Sequence, residues 1–202
     1  RSCLKSRGLG DVYKRQELAP VTPATVLMKV LELFEHRLGE TGIKLTCDLA
    51  AVADCQIMGD GERLHQLFTN LLHNVLRHAV GADRLTITAS VARGRLAVVF
   101  ADNGPGVPPD ALEHLFDRLF RVDPSRSRST GGSGIGLSVC QTIVEGHGGT
   151  ISAANIAAPA ATSETAHATR AGRSDGLAIT VNLPVLKAFA APFPLPRPRR
   201  KP

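Results

Sequence analysis

Aromatic residues are scarce in this chain of 202 residues: tryptophan is absent and aromatics total 4%. Hydrophobic residues still make 43%, enough at this length for one large or two small domains around a core. The four cysteines, Cys3, Cys47, Cys55 and Cys140, form no CxxC pair and have no ligand spacing with histidine. That argues against a zinc site or a disulfide framework and fits reduced thiols in a cytosolic domain. No apolar run approaches the ~20 residues of a membrane span, and no secretory signal opens the chain. A basic face is missing as well, despite a formal net charge of +6. Residues 1–16 carry five Lys/Arg against one acid and residues 184–202 five against none, leaving 14 against 17 between them. The middle is mildly acidic, so the concentrated basic surface that nucleic-acid binding needs is not there.

What the chain does have is glycine in one place. Gly131-Gly132-Ser133-Gly134-Ile135-Gly136-Leu137 runs into an apolar-periodic helix ending at His147-Gly148-Gly149. Backbone N–H groups without side chains, at the positive end of a helix, make a cradle for phosphate. A glycine-rich turn alone is weak evidence; two upstream elements strengthen it. Asp102-Asn103-Gly104-Pro105-Gly106 ends a strand-like apolar run over residues 96–101. Residues 60–79 form a helix with Asp60 as N-cap, on which Asn70, Asn74 and Arg77 share one stripe. Leu64, Leu67, Phe68, Leu71, Leu72, Val75 and Leu76 form the opposite, greasy stripe. Such a helix lies on a core and presents amides and a guanidinium to a ligand.

These motifs, in this order, resemble the nucleotide-binding domain of bacterial sensor histidine kinases, of the Bergerat (gyrase, Hsp90, kinase, MutL) ATP-binding fold. The likeness covers residues 17 to about 185 and is to the membrane-anchored, envelope-stress type. Residues 60–78 look like the N box, 102–106 like the G1 box, 115–123 like the F box and 132–137 like the G2 box. Two positions depart from the pattern: Val75 stands where alanine is usual, and residues 156–176 form an atypical Ala/Ser/Thr-rich insertion.

The resemblance implies a site for ATP and Mg²⁺. Asn74 would supply the metal's amide oxygen, supported by Asn70 one turn earlier, since Mg²⁺ takes few protein ligands and keeps waters. Arg77 would meet a phosphate, and His78 the sugar or base edge. Asp102 would accept from the adenine amine, with Gly104 and Gly106 letting the backbone pass close to the base. Gly132, Ser133, Gly134, Ile135, Gly136 and Leu137 would line the phosphates. Residues 107–131 would be a lid whose arginines, Arg118, Arg121, Arg126 and Arg128, are candidates for the γ-phosphate. Arg121 joins Asn70 and Asn74 in the catalytic set. ATP-hydrolysing relatives carry a glutamate where Asn70 stands, and an amide cannot take a proton from water.

ATP is therefore expected to be held for transfer to a histidine on a separate dimeric helical domain. No histidine here is followed by an acid, as that acceptor is. The expected partners are this dimerisation domain and a response regulator, not nucleic acid, in a homodimeric, membrane-anchored protein whose cytoplasmic part this is. An anti-sigma-type serine kinase and a non-catalytic nucleotide-binding interaction module are the alternatives. A carboxylate at position 70 would favour the first; loss of ATP binding would favour the second.

The order of elements predicts an α/β two-layer sandwich, a mixed sheet covered by helices on one face. A helix opens at Thr22-Pro23 with Leu27, Val30, Leu31, Phe34 and Leu38 at its spacing, and Gly39 and Gly42 end it. Strands follow at residues 43–49, 85–91, 96–101, 150–154 and 177–183, and Pro108-Pro109 opens a helix through Phe120. Residues 1–16 read as an extraneous or disordered leader, 17–186 as the domain, 156–176 as a disordered insertion and 187–202 as a Pro/Arg-rich disordered tail.

Overall fold

A computed structural model describes residues 18–79, 81–122, 134–156 and 176–186. The expected leader, tail and nearly all of the insertion lie outside these residues, as do Arg126, Arg128, Gly131, Gly132 and Ser133. Helix α1 spans Pro23–Thr41 and buries Leu27, Val30, Leu31, Phe34 and Leu38. Thr22 takes the extended N-cap backbone without a side-chain cap bond. Gly39 lies inside the helix, contrary to expectation. Gly42 alone ends it, at φ 72°, where a left-handed residue without Cβ costs little. Helix α2 spans Gly61–His78, and the Asp60 carboxylate caps it by accepting from the N–H groups of Glu62 (2.9 Å) and Arg63 (3.1 Å).

Five strands form the main sheet: β2 (Lys44–Asp48), β4 (Arg84–Ala92), β5 (Arg95–Asp102), β6 (Thr150–Asn155) and β7 (Leu177–Pro184). Their order is β2-β4-β5-β7-β6, with β2 parallel to β4 and every other pair antiparallel. The β4–β5 hairpin turns on Arg93 and Gly94, both at positive φ, as a two-residue primed turn requires. One row of the ladder runs Leu85, Asp102, Leu177, Asn155 across four strands, so these residues share the sheet's end. At the edge, β2 is less buried than its alternation suggests: Leu45 keeps 37% of its surface. Only one flank of an edge strand has a neighbour.

Two short strands were not legible by periodicity. Ala19–Val21 (β1) pairs antiparallel with Ile57–Gly59 (β3), three residues each, beside a 3-10 turn at Ala50–Val52. The helix expected through Phe120 is also shorter. It stops after Pro109–Leu112 (α3), and the chain continues in i→i+3 turns to Leu119, at φ 65°. There the Leu119 N–H donates to the Gly134 carbonyl at 3.0 Å, a tie that a continuing helix would break.

Helix α4 spans Gly136–Gly146. The helix layer has α2 at its centre. Phe68 on α2 stacks against Phe100 on β5 with centroids 6.1 Å apart, Phe34 on α1 meets His73 on α2, and Cys140 on α4 reaches the Leu67 carbonyl of α2. The expected two-layer α/β sandwich is therefore what forms, and it sets the polar stripe of α2 between α4 and the end of β5.

Candidate functional site

Three contacts bring the motifs together. The Asn70 amide nitrogen donates to the Gly136 carbonyl at 3.4 Å, joining α2 to the start of α4. A Cβ on Gly104 would stand 2.9 Å from the Ala79 Cα and the Asp102 Oδ1, so the loop after β5 rests on the end of α2. A Cβ on Gly134 would stand 3.0 Å from the Leu119 carbonyl carbon, and Gly134 has φ 68°, so the glycine segment packs on the end of the α3 turns. Glycine is required sterically at both places. At Gly136, by contrast, a Cβ would meet nothing within 4 Å among the described residues. None of those residues blocks the approach of a ligand to this helix N-terminus.

Asp102 ends β5 and is buried. Its Oδ1 accepts from the Gly104 N–H at 2.9 Å. Burial pushes this carboxyl above the ordinary aspartate range, opposed by the backbone N–H groups of Gly104, Leu177 and Asp102 itself. Gly106 adopts φ 64°, turning the loop toward Val107.

The last turn of α2, beside that loop, is cationic. Arg77 and His78 are exposed, and Arg121 is half-buried. Enough protein surrounds the His78 imidazole that burial leads the causes lowering its pKa, followed by the charges of Arg77 and Arg121. Both charges act on His78, and neither arginine has an acidic partner among the described residues. Cationic charge without acidic partners there favours an anion. Arg118 is exposed on the same turns. The Asn74 side chain is half-buried and has no hydrogen-bond partner among the described residues. Its amide oxygen would suit a hard cation such as Mg²⁺, which takes oxygen ligands. Ile135 is the exposed N-cap of α4 and Leu137 packs partly against the core.

Sequence reasoning missed three polar side chains that build this site. Asn103 Oδ1 accepts from the N–H groups of Asp83 (3.1 Å) and Arg84 (2.9 Å), while its nitrogen donates to Asp83 Oδ1 at 2.7 Å. Asn155 holds Val107 through both backbone groups. His147 is buried, and its Nδ1 donates to the Ile143 carbonyl (2.7 Å) while Nε2 accepts from the Asp60 N–H (2.9 Å). An imidazole that accepts from a backbone N–H is neutral, so His147 is a strut between the end of α4 and the cap of α2. A Cβ on Gly59 would come within 2.8 Å of its ring, which explains the glycine there. Only Asn103, within an Asp-Asn-Gly turn, had a local signal.

Among the described residues, Cys47, Cys55 and Cys140 are free thiols. Burial drives Cys140 up to about 12, against an opposing hydrogen bond from Asn70, so its thiol is inert. Among the described residues no cluster of three His, Cys, Asp or Glu could hold a metal, and no helix is long and apolar enough to cross a membrane.

Comparison with known proteins bears on the family and the fold. The family described as histidine kinase-, DNA gyrase B-, and HSP90-like ATPase matches residues 59–187. The signal transduction histidine-protein kinase BaeS of Escherichia coli (strain K12) is 41% identical over 137 residues, which cover 68% of this chain and 29% of BaeS. Among solved structures, the mycobacterial sensor histidine kinase MprB superposes with a TM-score of 0.64 at 28% identity, covering 83% of this chain and 98% of that one. Full-length ShkA in complex with AMPPNP gives a TM-score of 0.64 at 26% identity, covering 86% of this chain and 32% of ShkA.

Proposed function

The chain belongs to the histidine kinase-, DNA gyrase B-, and HSP90-like ATPase family, and from that we propose that it is the ATP-binding catalytic part of a sensor histidine kinase. It binds Mg-ATP and gives up the γ-phosphoryl group to a histidine on a separate dimerisation domain, which passes it to a response regulator. The observation that carries this reading is the placement of the polar stripe of α2. Asn70 on it donates to the Gly136 carbonyl, the loop from the buried Asp102 rests on its end at Ala79, and the charges of Arg77 and Arg121 act on His78 in its last turn.

Each group has a role in that reading. Asp102 accepts from the exocyclic amine of adenine, and Gly104 and Gly106 keep the backbone close to the base. Asn74 offers its oxygen to Mg²⁺, which when bound neutralises phosphate charge. Asn70 is oriented by its bond to Gly136 and supports the same end. Arg77 and Arg121 meet phosphate oxygens, His78 sits beside the sugar, and Gly134, Ile135, Gly136 and Leu137 line the phosphates from the N-terminus of α4. Transfer of this kind rests on positioning and charge neutralisation. No carboxylate stands at position 70 to activate water, so the transferred group waits for a better nucleophile. The whole protein is homodimeric and membrane-anchored, with this part in the cytoplasm.

A nucleotide titration with and without Mg²⁺, followed by mixing with the cognate helical domain, tests the reading. Mg²⁺-dependent ATP binding, negligible hydrolysis by the chain alone and an acid-labile phosphohistidine on the added domain are the expected results. Acid-stable phosphoserine, or no ATP binding at millimolar concentration, overturns it.

A further inference from the structure

The loop from Asp102 to Val107 is fastened from both flanks by side-chain amides. On the β4 side, Asn103 is held by Asp83 and Arg84. On the β6 side, Val107 N–H donates to Asn155 Oδ1 at 2.9 Å and Asn155 Nδ2 donates to the Val107 carbonyl at 2.6 Å. A primary amide carries one acceptor and a donor in one plane, as a peptide group does. Asn155 therefore treats Val107 as a strand partner, and the fixed polarity of the Val107 backbone dictates which way its amide faces. Serine is too short to offer both contacts in that geometry, and aspartate lacks the donor.

The position of Asn155 is itself tied to Asp102. It pairs with Leu177, which pairs with Asp102, in one row of the sheet. Just beyond, Ile156 N–H donates to the Gly176 carbonyl at 2.9 Å, and Gly176 lies so close to the Asp102 carbonyl that a Cβ there would run into it. Both ends of the loop are thus referenced to the same ladder row, leaving Gly104 and Gly106 little freedom between them.

We propose that Asn155 is a positioning residue for nucleobase recognition: it clamps Val107 and so fixes the Gly104–Gly106 backbone at the distance from Asp102 that an adenine ring requires. Asn155 touches no nucleotide in this arrangement and acts through the loop. The inference rests on the reading that Asp102 binds adenine, and it adds the residue that makes that binding selective.

The test measures affinities of the full chain for Mg-ATP, Mg-GTP and inorganic tripolyphosphate, with Asn155→Ala, Asn155→Asp and Asp102→Asn beside the parent. Asn155→Ala is expected to weaken ATP about tenfold, as loss of two neutral hydrogen bonds implies, and to narrow the ATP-over-GTP preference by a similar factor. Tripolyphosphate affinity should not change. Asn155→Asp keeps the acceptor for the Val107 N–H but sets a carboxylate oxygen against the Val107 carbonyl, so it should give at least as large a loss in the same direction. Faster exchange of the Val107 amide in both variants is the direct readout. A residue that only stabilised the fold would weaken all three ligands together and leave selectivity intact; that outcome overturns the proposal, as does unchanged ATP preference in either folded variant. If Asp102→Asn also leaves ATP affinity untouched, the underlying placement of adenine fails instead, which separates the two ideas.

Discussion

The two ends of the site are built on opposite principles. Around Asp102 the polar groups are buried or bonded to backbone, with Asn103, Asn155 and the Gly104 N–H leaving few degrees of freedom. Around Arg77, His78 and Asn74 they are exposed or half-exposed and lack partners among the described residues. A planar base has one shape, so a rigid recognition surface loses little entropy on binding it. A triphosphate with its metal is flexible and strongly hydrated, and free cationic side chains follow it at modest cost. The base end therefore holds selectivity and the phosphate end holds charge.

The largest expected effect comes from breaking the base end. Asp102→Asn keeps the size of the side chain but replaces an acceptor-only carboxylate with an amide that presents a donor to the adenine amine. Loss of a charge-assisted hydrogen bond costs about 1.5–3 kcal/mol, or roughly 10- to 150-fold in affinity. ATP and ADP should suffer alike in a calorimetric titration, because both carry the same base. An unchanged affinity would remove Asp102 from base recognition and dissolve the contrast between the ends.

The same carboxylate gives a pH dependence with two opposite signs. Burial raises its folded-state pKa, so the folded chain holds this proton more tightly than the unfolded one. At neutral pH the ionised form thus opposes folding, and that opposition fades as pH falls through the raised value. Adenine binding needs the ionised acceptor, so nucleotide affinity falls over that same interval, beginning above the ordinary carboxylate range. In Asp102→Asn this acid limb of the affinity profile should flatten. If the limb persists unchanged, another group causes it.

Much of this division could be read from sequence, for a physical reason. Helix α2 announces itself because a 3.6-residue period separates Leu64, Leu67, Leu71 and Val75 from Asn70, Asn74 and Arg77, and Asp60 caps it by a local bond. Asp102 was found because a strand's alternation stops there. The clamps were hidden because they are long-range: Asn155 and Val107 lie 48 residues apart, and His147 and Asp60 lie 87 apart. Nothing local marks an asparagine at a strand end as the partner of a distant peptide. The β1–β3 ribbon escaped because three residues carry no period, and α3 was overextended because its stop comes from the Leu119 tie to Gly134.

A smaller effect sharpens the phosphate end. Asn74→Asp puts a negative charge beside the phosphates and changes the metal ligand, while leaving the base end alone. It should weaken metal-free ADP by about 1 kcal/mol, the order of a single exposed charge interaction, and make nucleotide binding depend more steeply on Mg²⁺. Affinity for adenosine, which has no phosphates, should stay at the parent value. A matching loss for adenosine would show that the two ends are not separable and that α2 transmits the change between them.

The smallest effect belongs to Arg77. Its guanidinium is exposed, without an acidic partner among the described residues, and after burial its charge helps lower the pKa of His78. Removing it in Arg77→Ala should weaken ATP by roughly two- to fivefold at low salt, the range of a solvated ion pair. Added salt screens such a contact over about 10 Å at 0.1 M, so the gap between variant and parent should close as ionic strength rises. The base-end variant behaves differently, because the Asp102 contact is buried and salt reaches it poorly. Measuring both variants across a salt series separates the mechanisms: a loss that shrinks for Arg77→Ala and persists for Asp102→Asn is expected. Loss of ATP affinity in Arg77→Ala that is independent of salt means the arginine is buried by the bound nucleotide, and the phosphate end is then as preorganised as the base end.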